Sequence, residues 1–279
     1  MVDCSVLLDV QGLRVEFETP EQRICAVKGI NFALPAGEIT AMIGESGSGK
    51  SVTCLSLLGL AEGAAVSGTL RFAGMNGPSE IRPRLLAPLR GRRIGMIVQD
   101  PIGSLNPVRT IGAQLRETVR ALTDARSRTA ATRRALELLA AVRLPEPETL
   151  LSRYPHELSG GMNQRVMIAL ALAGAPDLLI ADEPTTALDV TVQRDVLNLL
   201  ANLRDETGLT ILLVTHDIDI ARSYADRILV IRGGELVEQG TTVKLLTSPK
   251  HAYTQELLAS RASLLHRNPE PALETVRYA

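Results

Sequence analysis

The sequence predicts an α/β fold: a parallel-sheet core with strands at its N-terminal side and an inserted helical subdomain. An apolar strand at 39–43 runs through a glycine-rich loop into an apolar helix at 52–60. Helical and extended patterns alternate between residues 160 and 225, whereas residues 104–158 have only helical apolar spacing. Such alternation is typical of parallel sheets, and the purely helical stretch indicates an insertion.

Short apolar runs separated by turn residues predict the strands in the first third of the chain. These strands are expected at 7–15, 26–34, 38–43, 67–74 and 94–98. The arginine-rich connection at 82–93, between the last two strands, is expected to be a solvated surface.

A change of composition after Gln99 marks the start of the helical subdomain, and Pro145 and Pro147 interrupt it. Beyond it, helices are predicted at 160–173, 190–206, 218–225 and from Tyr253, and strands at 178–181, 210–214 and on both sides of Gly233 and Gly234. These patterns assign residues 1–98 and 164–262 to the core, 99–163 to the helical subdomain and 263–279 to a C-terminal tail.

The composition excludes several classes of protein. Lys+Arg total 30 and Asp+Glu 31, a net charge of −1, so no overall basic field points to nucleic acid. Three scattered cysteines without CxxC spacing exclude a disulfide scaffold and structural zinc. No apolar run reaches the roughly 18 residues of a membrane span, because the longest, 166–181, contains Gly174, Pro176 and Asp177.

Residues 44–51 match the phosphate-binding pattern GxxxxGK[ST], and they stand between a predicted strand and a predicted helix. Glycines let backbone N–H groups approach phosphate oxygens, and the helix N-terminus adds positive potential. Lys50 is expected to reach the β- and γ-phosphates, and the Ser51 hydroxyl to ligate Mg²⁺. The alternative is a glycine-rich turn that binds nothing. The candidate nucleotide-binding residues here are Gly44, Glu45, Ser46, Gly47, Ser48, Gly49, Lys50 and Ser51.

The strand at 178–181 leads into two adjacent carboxylates, Asp182 and Glu183. Successive side chains of a strand diverge, so the two groups are expected to have different roles. Asp182 is placed to hold Mg²⁺ through water, and Glu183 to polarise the water that attacks the γ-phosphate. An isolated Asp-Glu pair on a surface would have no such role, but a buried strand and a phosphate loop precede this one.

These two motifs define a P-loop NTPase without its class. A guanine-reading segment is absent, and so is the acceptor lid of a small-molecule kinase. Residues 158–162, Leu-Ser-Gly-Gly-Met, open a helix after the insertion and resemble the signature motif of ATP-binding cassette (ABC) proteins. Other segments are similar to further motifs of that family: Gln99 (Q-loop), Ala187-Leu188-Asp189 (D-loop) and Thr215-His216-Asp217 (H-loop). The resemblance covers about residues 5–260 and implies a RecA-like parallel-sheet core with an N-terminal antiparallel β subdomain and an inserted helical subdomain.

The resemblance also implies that two subunits hold two ATP molecules head to tail between them. In that arrangement Ser159, Gly160 and Gly161 complete the site of the second subunit, where an ordinary helix N-cap is the alternative. It further implies that Gln99 senses Mg²⁺ and the γ-phosphate and that His216 contacts the γ-phosphate and helps to fix the attacking water.

Two further positions follow from the same resemblance. Asp189 belongs to the nucleotide-binding set, and Phe17 matches the aromatic residue that stacks on adenine, with a place in the hydrophobic core as its alternative. The chain departs from common family residues at Met162, Asn163 and Thr186. None of these changes is expected to abolish activity.

Three segments resemble the peptide, opine and nickel importers of this family: 99–107, 181–193 and 249–258. Peptide-type members continue into a tail with several cysteines, and the sequence has none after Cys54, which favours a nickel or metallophore importer over a peptide importer. The implied partners are a second ATPase subunit, two membrane-spanning permease subunits and an extracytoplasmic solute-binding protein, with no nucleic acid. The implied place is the cytoplasmic face of a bacterial inner membrane, held peripherally.

Two other functions are alternatives. A soluble cassette ATPase acting on ribosomes or DNA usually has two cassettes or a long coiled-coil insertion, and neither is found. A regulatory module that binds ATP without hydrolysing it would have no use for Glu183 and His216.

Overall fold

The computed structural model describes residues 6–186 and 188–267, with the side chains of this range except those of 101, 102 and 260–267. Its strands are β1 (Val6–Glu18), β2 (Arg23–Pro35), β3 (Ile39–Ile43), β4 (Ala64–Phe72), β5 (Ser79–Glu80), β6 (Ile94–Ile97), β7 (Leu178–Asp182), β8 (Thr210–Thr215), β9 (Arg227–Arg232) and β10 (Glu235–Thr241).

The helices include each one that the sequence predicts and several short ones besides. They are α1 (Lys50–Leu57), α2 (Pro83–Leu86), α3 (Pro101–Ser104), α4 (Ile111–Leu122), α5 (Arg128–Ala141), α6 (Pro147–Leu150), α7 (Gly160–Ala171), α8 (Val190–Thr207), α9 (Ile218–Tyr224), α10 (Thr242–Thr247) and α11 (Ala252–Arg267), with 3₁₀ turns at Ala87–Leu89 and Pro155–Glu157.

The strands form two sheets. The core sheet has the order β10-β9-β3-β8-β7-β6, in which β9, β3, β8, β7 and β6 are parallel and β10 is an antiparallel edge. The second sheet, β2-β1-β4-β5, is antiparallel and lies N-terminal in the chain. The predicted fold class, a parallel-sheet core with an antiparallel β subdomain and a helical insertion, is therefore confirmed.

Each face of the core sheet is covered by different parts of the chain, because consecutive side chains of a buried strand point to opposite faces. Met42, Ile180 and Leu212 pack in one cluster with α1 and the antiparallel sheet. Leu179 and Leu213 pack in another cluster with the helical subdomain, α7 and α8. The sheet is thus a rigid platform between the two subdomains.

Two of the three domain boundaries predicted from composition fall inside helices. The boundary at 163/164 lies in α7, and α11 continues through the boundary at 262/263. Helices form by local hydrogen bonding that a change of composition does not interrupt. Residues 268–279 of the predicted tail lie outside the described residues. Within the described part of the chain, no helix is long and apolar enough to cross a membrane.

The arginine-rich connection at 82–93 is only partly the solvated surface that its composition suggests. The Arg90 guanidinium is half-buried and donates to the carbonyl oxygens of Leu58 (2.6 Å) and Gly59 (2.9 Å), just beyond the end of α1. Arg93 pairs with Asp177, and its guanidinium carbon lies 4.7 Å from the ring centroid of Phe72. A cation at a helix C-terminus satisfies otherwise unpaired carbonyls, so Arg90 stabilises the helix that carries Lys50.

Candidate active site

Most of the predicted site residues lie at or just after the carboxyl ends of four adjacent parallel strands. The glycine loop follows β3, His216 follows β8, Asp182 ends β7 with Glu183 after it, and Gln99 comes two residues after β6. Parallel strands present their carboxyl ends at one edge of a sheet, where ligands of open α/β folds bind. The topology therefore brings together side chains that are far apart in the sequence.

Close packing explains why the loop at 44–51 needs glycine. A Cβ on Gly44 would lie 2.1 Å from the carbonyl oxygen of Ile231, and a Cβ on Gly49 would lie 2.5 Å from that of Ala26. Gly49 also has a φ of +103°, a conformation that residues with a side chain rarely adopt. The backbone of the loop is held between β2 and β9.

Lys50 is buried at the start of α1, with an exposed fraction of 5 %. Its ammonium group donates to the carbonyl oxygens of Gly44 and Glu45, both at 2.8 Å. Burial lowers the pKa of Lys50 from its ordinary value, against the opposing effect of the Glu183 and Asp182 carboxylates. The positive charge is thus held over the loop, poorly solvated and without a direct ion-pair partner among the described residues.

Ser51 and Asp182 are paired across the site. The Ser51 hydroxyl donates to Oδ1 of Asp182 at 3.1 Å. Asp182 is 6 % exposed, and burial raises its pKa, while the hydrogen bond from Ser51 acts in the opposite direction. A hydroxyl and a carboxylate oxygen at this spacing are the kind of ligands that Mg²⁺ takes in nucleotide sites.

Glu183 is held in a strained conformation that directs it into the site. Its φ is +46°, in the left-handed region, and its N–H donates to the Val214 carbonyl at 3.1 Å. Gln99 Nε2 donates to its Oε2 at 3.0 Å, and Nδ1 of His216 lies 3.3 Å from its Oε1. A non-glycine residue in this region costs on the order of 1–3 kcal/mol, and such residues cluster at functional sites.

A cavity of about 630 Å³ lies in front of these groups, a volume suited to a small-molecule ligand. The predicted residues on its walls are Ser46, Gly47, Gly49, Lys50, Ser51, Gln99, Glu183 and His216. Ala26, Val52 and Thr186 also line it, although the sequence did not single out the first two. The Ser48 hydroxyl is buried beneath the loop without a hydrogen-bond partner in the described structure. A glycine loop whose backbone carries few side chains, the buried Lys50 ammonium group and the unpaired Ser48 hydroxyl together fit a phosphate-bearing ligand.

The signature turn does not line this cavity. Ser159 and Gly160 are exposed at the N-terminus of α7, and the Ser159 hydroxyl accepts a hydrogen bond from Met162 N–H at 3.3 Å. Gly161 is required for packing, because a Cβ there would lie 2.5 Å from Cγ1 of Val192 in α8. The single chain therefore presents an outward-facing turn, capped as an ordinary helix is capped.

Phe17 and Asp189 are also absent from the cavity wall. Phe17, in β1, is half-buried and packs against the core cluster of the antiparallel sheet. The Asp189 carboxylate caps α8 by accepting from the N–H groups of Thr191 and Val192. Ala187, in the same predicted motif, lies outside the described residues.

Two of the three residues that differ from common family members make side-chain hydrogen bonds. Thr186 donates its hydroxyl to Oε2 of Glu183 at 3.0 Å. Asn163 is buried and donates to the Pro155 carbonyl at 2.9 Å, which ties α7 to the turn before it. The sequence showed only that Thr186 keeps a hydroxyl, and its position three residues after Glu183 in a turn is the signal that could have identified this contact.

Comparison with known proteins agrees with the geometry. Residues 27–186 match the family described as ABC transporter. The chain is 45% identical over 259 residues to the "Probable peptide ABC transporter ATP-binding protein y4tR" of Sinorhizobium fredii, covering 92% of this chain and 77% of that protein. It is 44% identical over 266 residues to the glutathione import ATP-binding protein GsiA of Escherichia coli, covering 93% of this chain and 42% of that protein.

A solved structure supports the same assignment. The dimeric structure of a post-hydrolysis state of the ATP-binding cassette MJ0796, bound to ADP and Pi, has a TM-score of 0.72 and 30% sequence identity. The match covers 85% of this chain and 99% of that chain. From the order of its motifs, its sheet topology and these relatives, we conclude that the chain belongs to the ABC transporter family as an ATP-binding subunit.

Proposed function

We propose that this protein hydrolyses ATP to drive the import of peptides through a membrane permease. The observation that carries the proposal is the Glu183 carboxylate, which contacts Gln99 and His216 at the mouth of a cavity floored by the glycine loop. A non-hydrolysing module would not require a strained carboxylate at this position. The names of the relatives, which concern import and transport, favour this function over a soluble ATPase that acts on nucleic acid.

The groups in the cavity divide the chemistry between binding and hydrolysis. Lys50 and the loop N–H groups bind the phosphates. Ser51 and Asp182 would hold Mg²⁺, which would neutralise part of the negative charge of the phosphates. Glu183 accepts a hydrogen bond from the attacking water and orients it in line with the γ-phosphate. Gln99 and His216 hold Glu183 in place and reach the same space. Phe17 is the proposed support for the adenine ring.

The catalytic unit that we propose contains two ATPase chains. The exposed turn at Ser159 and Gly160 lies outside the chain's own cavity, and it offers free backbone N–H groups at a helix N-terminus. This turn, with Asp189 beside it, would complete the nucleotide site of the partner subunit. The dimeric form reported for MJ0796 supports this arrangement.

Peptides are the proposed substrate class because relatives at 45–46% identity are named for peptide transport or import. The absence of cysteines after Cys54 favours a nickel or metallophore importer, but the names of these relatives do not support that substrate. The proposed assembly includes two permease subunits and an extracytoplasmic binding protein, and it places this chain peripherally on the inner face of the bacterial inner membrane.

Two substitutions test the assignment of roles. Lys50→Ala is expected to weaken ATP binding, whereas Glu183→Gln is expected to retain binding and lose hydrolysis by on the order of 10² or more. Nucleotide affinity and steady-state phosphate release, measured on the same preparations, separate the two effects. Hydrolysis by Glu183→Gln at the wild-type rate would remove Glu183 from its proposed role.

A transport assay tests the substrate class. Deletion of the gene is expected to reduce uptake of labelled peptides while nickel accumulation is unchanged. Complementation with the Glu183→Gln chain controls for expression without hydrolysis. If nickel accumulation fell and peptide uptake did not, the nickel alternative would replace the peptide proposal.

A further inference from the structure

Two residues in the C-terminal part of the chain make hydrogen bonds to the backbone of the glycine loop. Gly234, in the turn between β9 and β10, donates its N–H to the Ser48 carbonyl at 2.9 Å. Tyr253, in the first turn of α11, accepts a hydrogen bond at its hydroxyl from the Glu45 N–H at 3.2 Å. The loop and Tyr253 are 208 residues apart in the chain, so this contact depends entirely on the tertiary fold.

Tyr253 is itself held firmly. It is 2 % exposed, and the guanidinium carbon of Arg232 lies 4.6 Å from its ring centroid. The Glu238 carboxylate accepts from the N–H groups of Lys250 (2.8 Å) and His251 (3.1 Å), which fixes the chain just before α11. Burial raises the pKa of the Tyr253 phenol, which therefore stays protonated at neutral pH.

The hydrogen bond from Glu45 matters because of where that N–H lies. The Glu45 N–H and the Gly44 carbonyl belong to one planar peptide unit. The N–H side of this unit donates to Tyr253, and the carbonyl side accepts from the Lys50 ammonium at 2.8 Å. A rotation of the unit would break both contacts together. Tyr253 thus restricts the orientation of a peptide group that holds Lys50.

We propose that Tyr253 is a positioning residue for ATP binding, acting through the Gly44–Glu45 peptide on the phosphate loop and Lys50. The inference rests on the proposed role of Lys50 in binding phosphate. It also gives a function to the segment 249–258, which resembles family members but contributes no residue to the cavity wall. Loss of the phenol oxygen would remove one of the contacts that fix this peptide unit and leave the Glu45 N–H without its acceptor.

Tyr253→Phe removes only that oxygen and keeps the ring under Arg232. We expect ATP to bind the purified full-length chain about fivefold more weakly, which corresponds to about 1 kcal/mol, the typical net value of one hydrogen bond. Tyr224→Phe is the control, because it also removes a phenol oxygen that is hydrogen-bonded, to Asn198 Oδ1 at 3.0 Å, at a position that does not line the cavity. Its ATP affinity should equal that of the wild type.

Isothermal titration calorimetry with ATP and thermal unfolding without nucleotide, both on the wild type and the two variants, decide between positioning and general packing. A positioning role requires weaker ATP binding by Tyr253→Phe at a melting temperature close to that of Tyr224→Phe. A lower melting temperature with wild-type ATP affinity, or equal loss of affinity in both variants, would overturn the inference. Failure of the wild-type chain to bind ATP would instead contradict the proposed function.

Discussion

The hydrogen bond from Thr186 to Glu183 yields a sharp prediction about hydrolysis. Oε2 of Glu183 accepts from Thr186 and from Gln99, each at 3.0 Å, whereas His216 Nδ1, at 3.3 Å, is the one partner of Oε1 among the described residues. Thr186→Val keeps the shape of the side chain and removes one of the two donors to Oε2. A hydrogen bond to a charged group contributes about 1.5–3 kcal/mol. The Glu183 side chain is 17% exposed and retains Gln99, so the lower limit applies.

This value corresponds to a fall of roughly tenfold in kcat, with KM for ATP nearly unchanged, because Glu183 acts in hydrolysis rather than in binding. Thr186→Ser keeps the hydroxyl and should hydrolyse ATP at close to the wild-type rate. Steady-state phosphate release by the assembled transporter measures both variants, with Glu183→Gln as the inactive reference. The reasoning is refuted if Thr186→Val is fully active, or if Thr186→Ser loses as much activity as Thr186→Val.

Three other substitutions test separate parts of the site. Asp182→Asn should raise the melting temperature of the nucleotide-free protein at pH 7 and abolish Mg²⁺-dependent hydrolysis, because burial raises the pKa of Asp182 above its ordinary 3.8 and the buried charge therefore lowers stability at neutral pH. The gain in melting temperature should shrink as the pH falls and Asp182 of the wild type becomes protonated. Gly161→Ala should lower the melting temperature, because the added methyl group collides with Val192. The double variant with Val192→Ala should recover most of this loss, which it would not do if the loss came from the backbone at position 161 alone. Ser159→Arg should leave ATP binding by the isolated chain unchanged but reduce hydrolysis by the assembled complex about tenfold or more. Loss of ATP binding by the isolated chain would mean that the signature turn belongs to the nucleotide site of the same chain.

The order of the strands in the core sheet determines which of the predicted residues are in contact. The sequence indicated a carboxylate at Glu183 and a histidine at His216, but their contact depends on β7 and β8 being neighbours in the sheet. Pairing of parallel strands is a long-range event that no local pattern encodes. The same reason explains why the contact of Tyr253 with Glu45 and the role of Arg90 beyond α1 could not be predicted.

The sequence by itself determined the fold class, the strand, glycine loop and helix of the phosphate site, the two carboxylates after β7 and the signature turn. The strands, the glycine loop and the helices depend on short-range rules: apolar periodicity, the backbone freedom of glycine and the capping of helix ends. The signature turn is a short contiguous motif that was identified by its resemblance to the ABC family. Only the tertiary structure decided that Thr186 holds Glu183, that the signature turn faces away from the chain's own cavity, and that Phe17 packs against the core of the antiparallel sheet. These features follow from the packing of distant segments around one sheet, because side-chain contacts form only after the strands have taken their order.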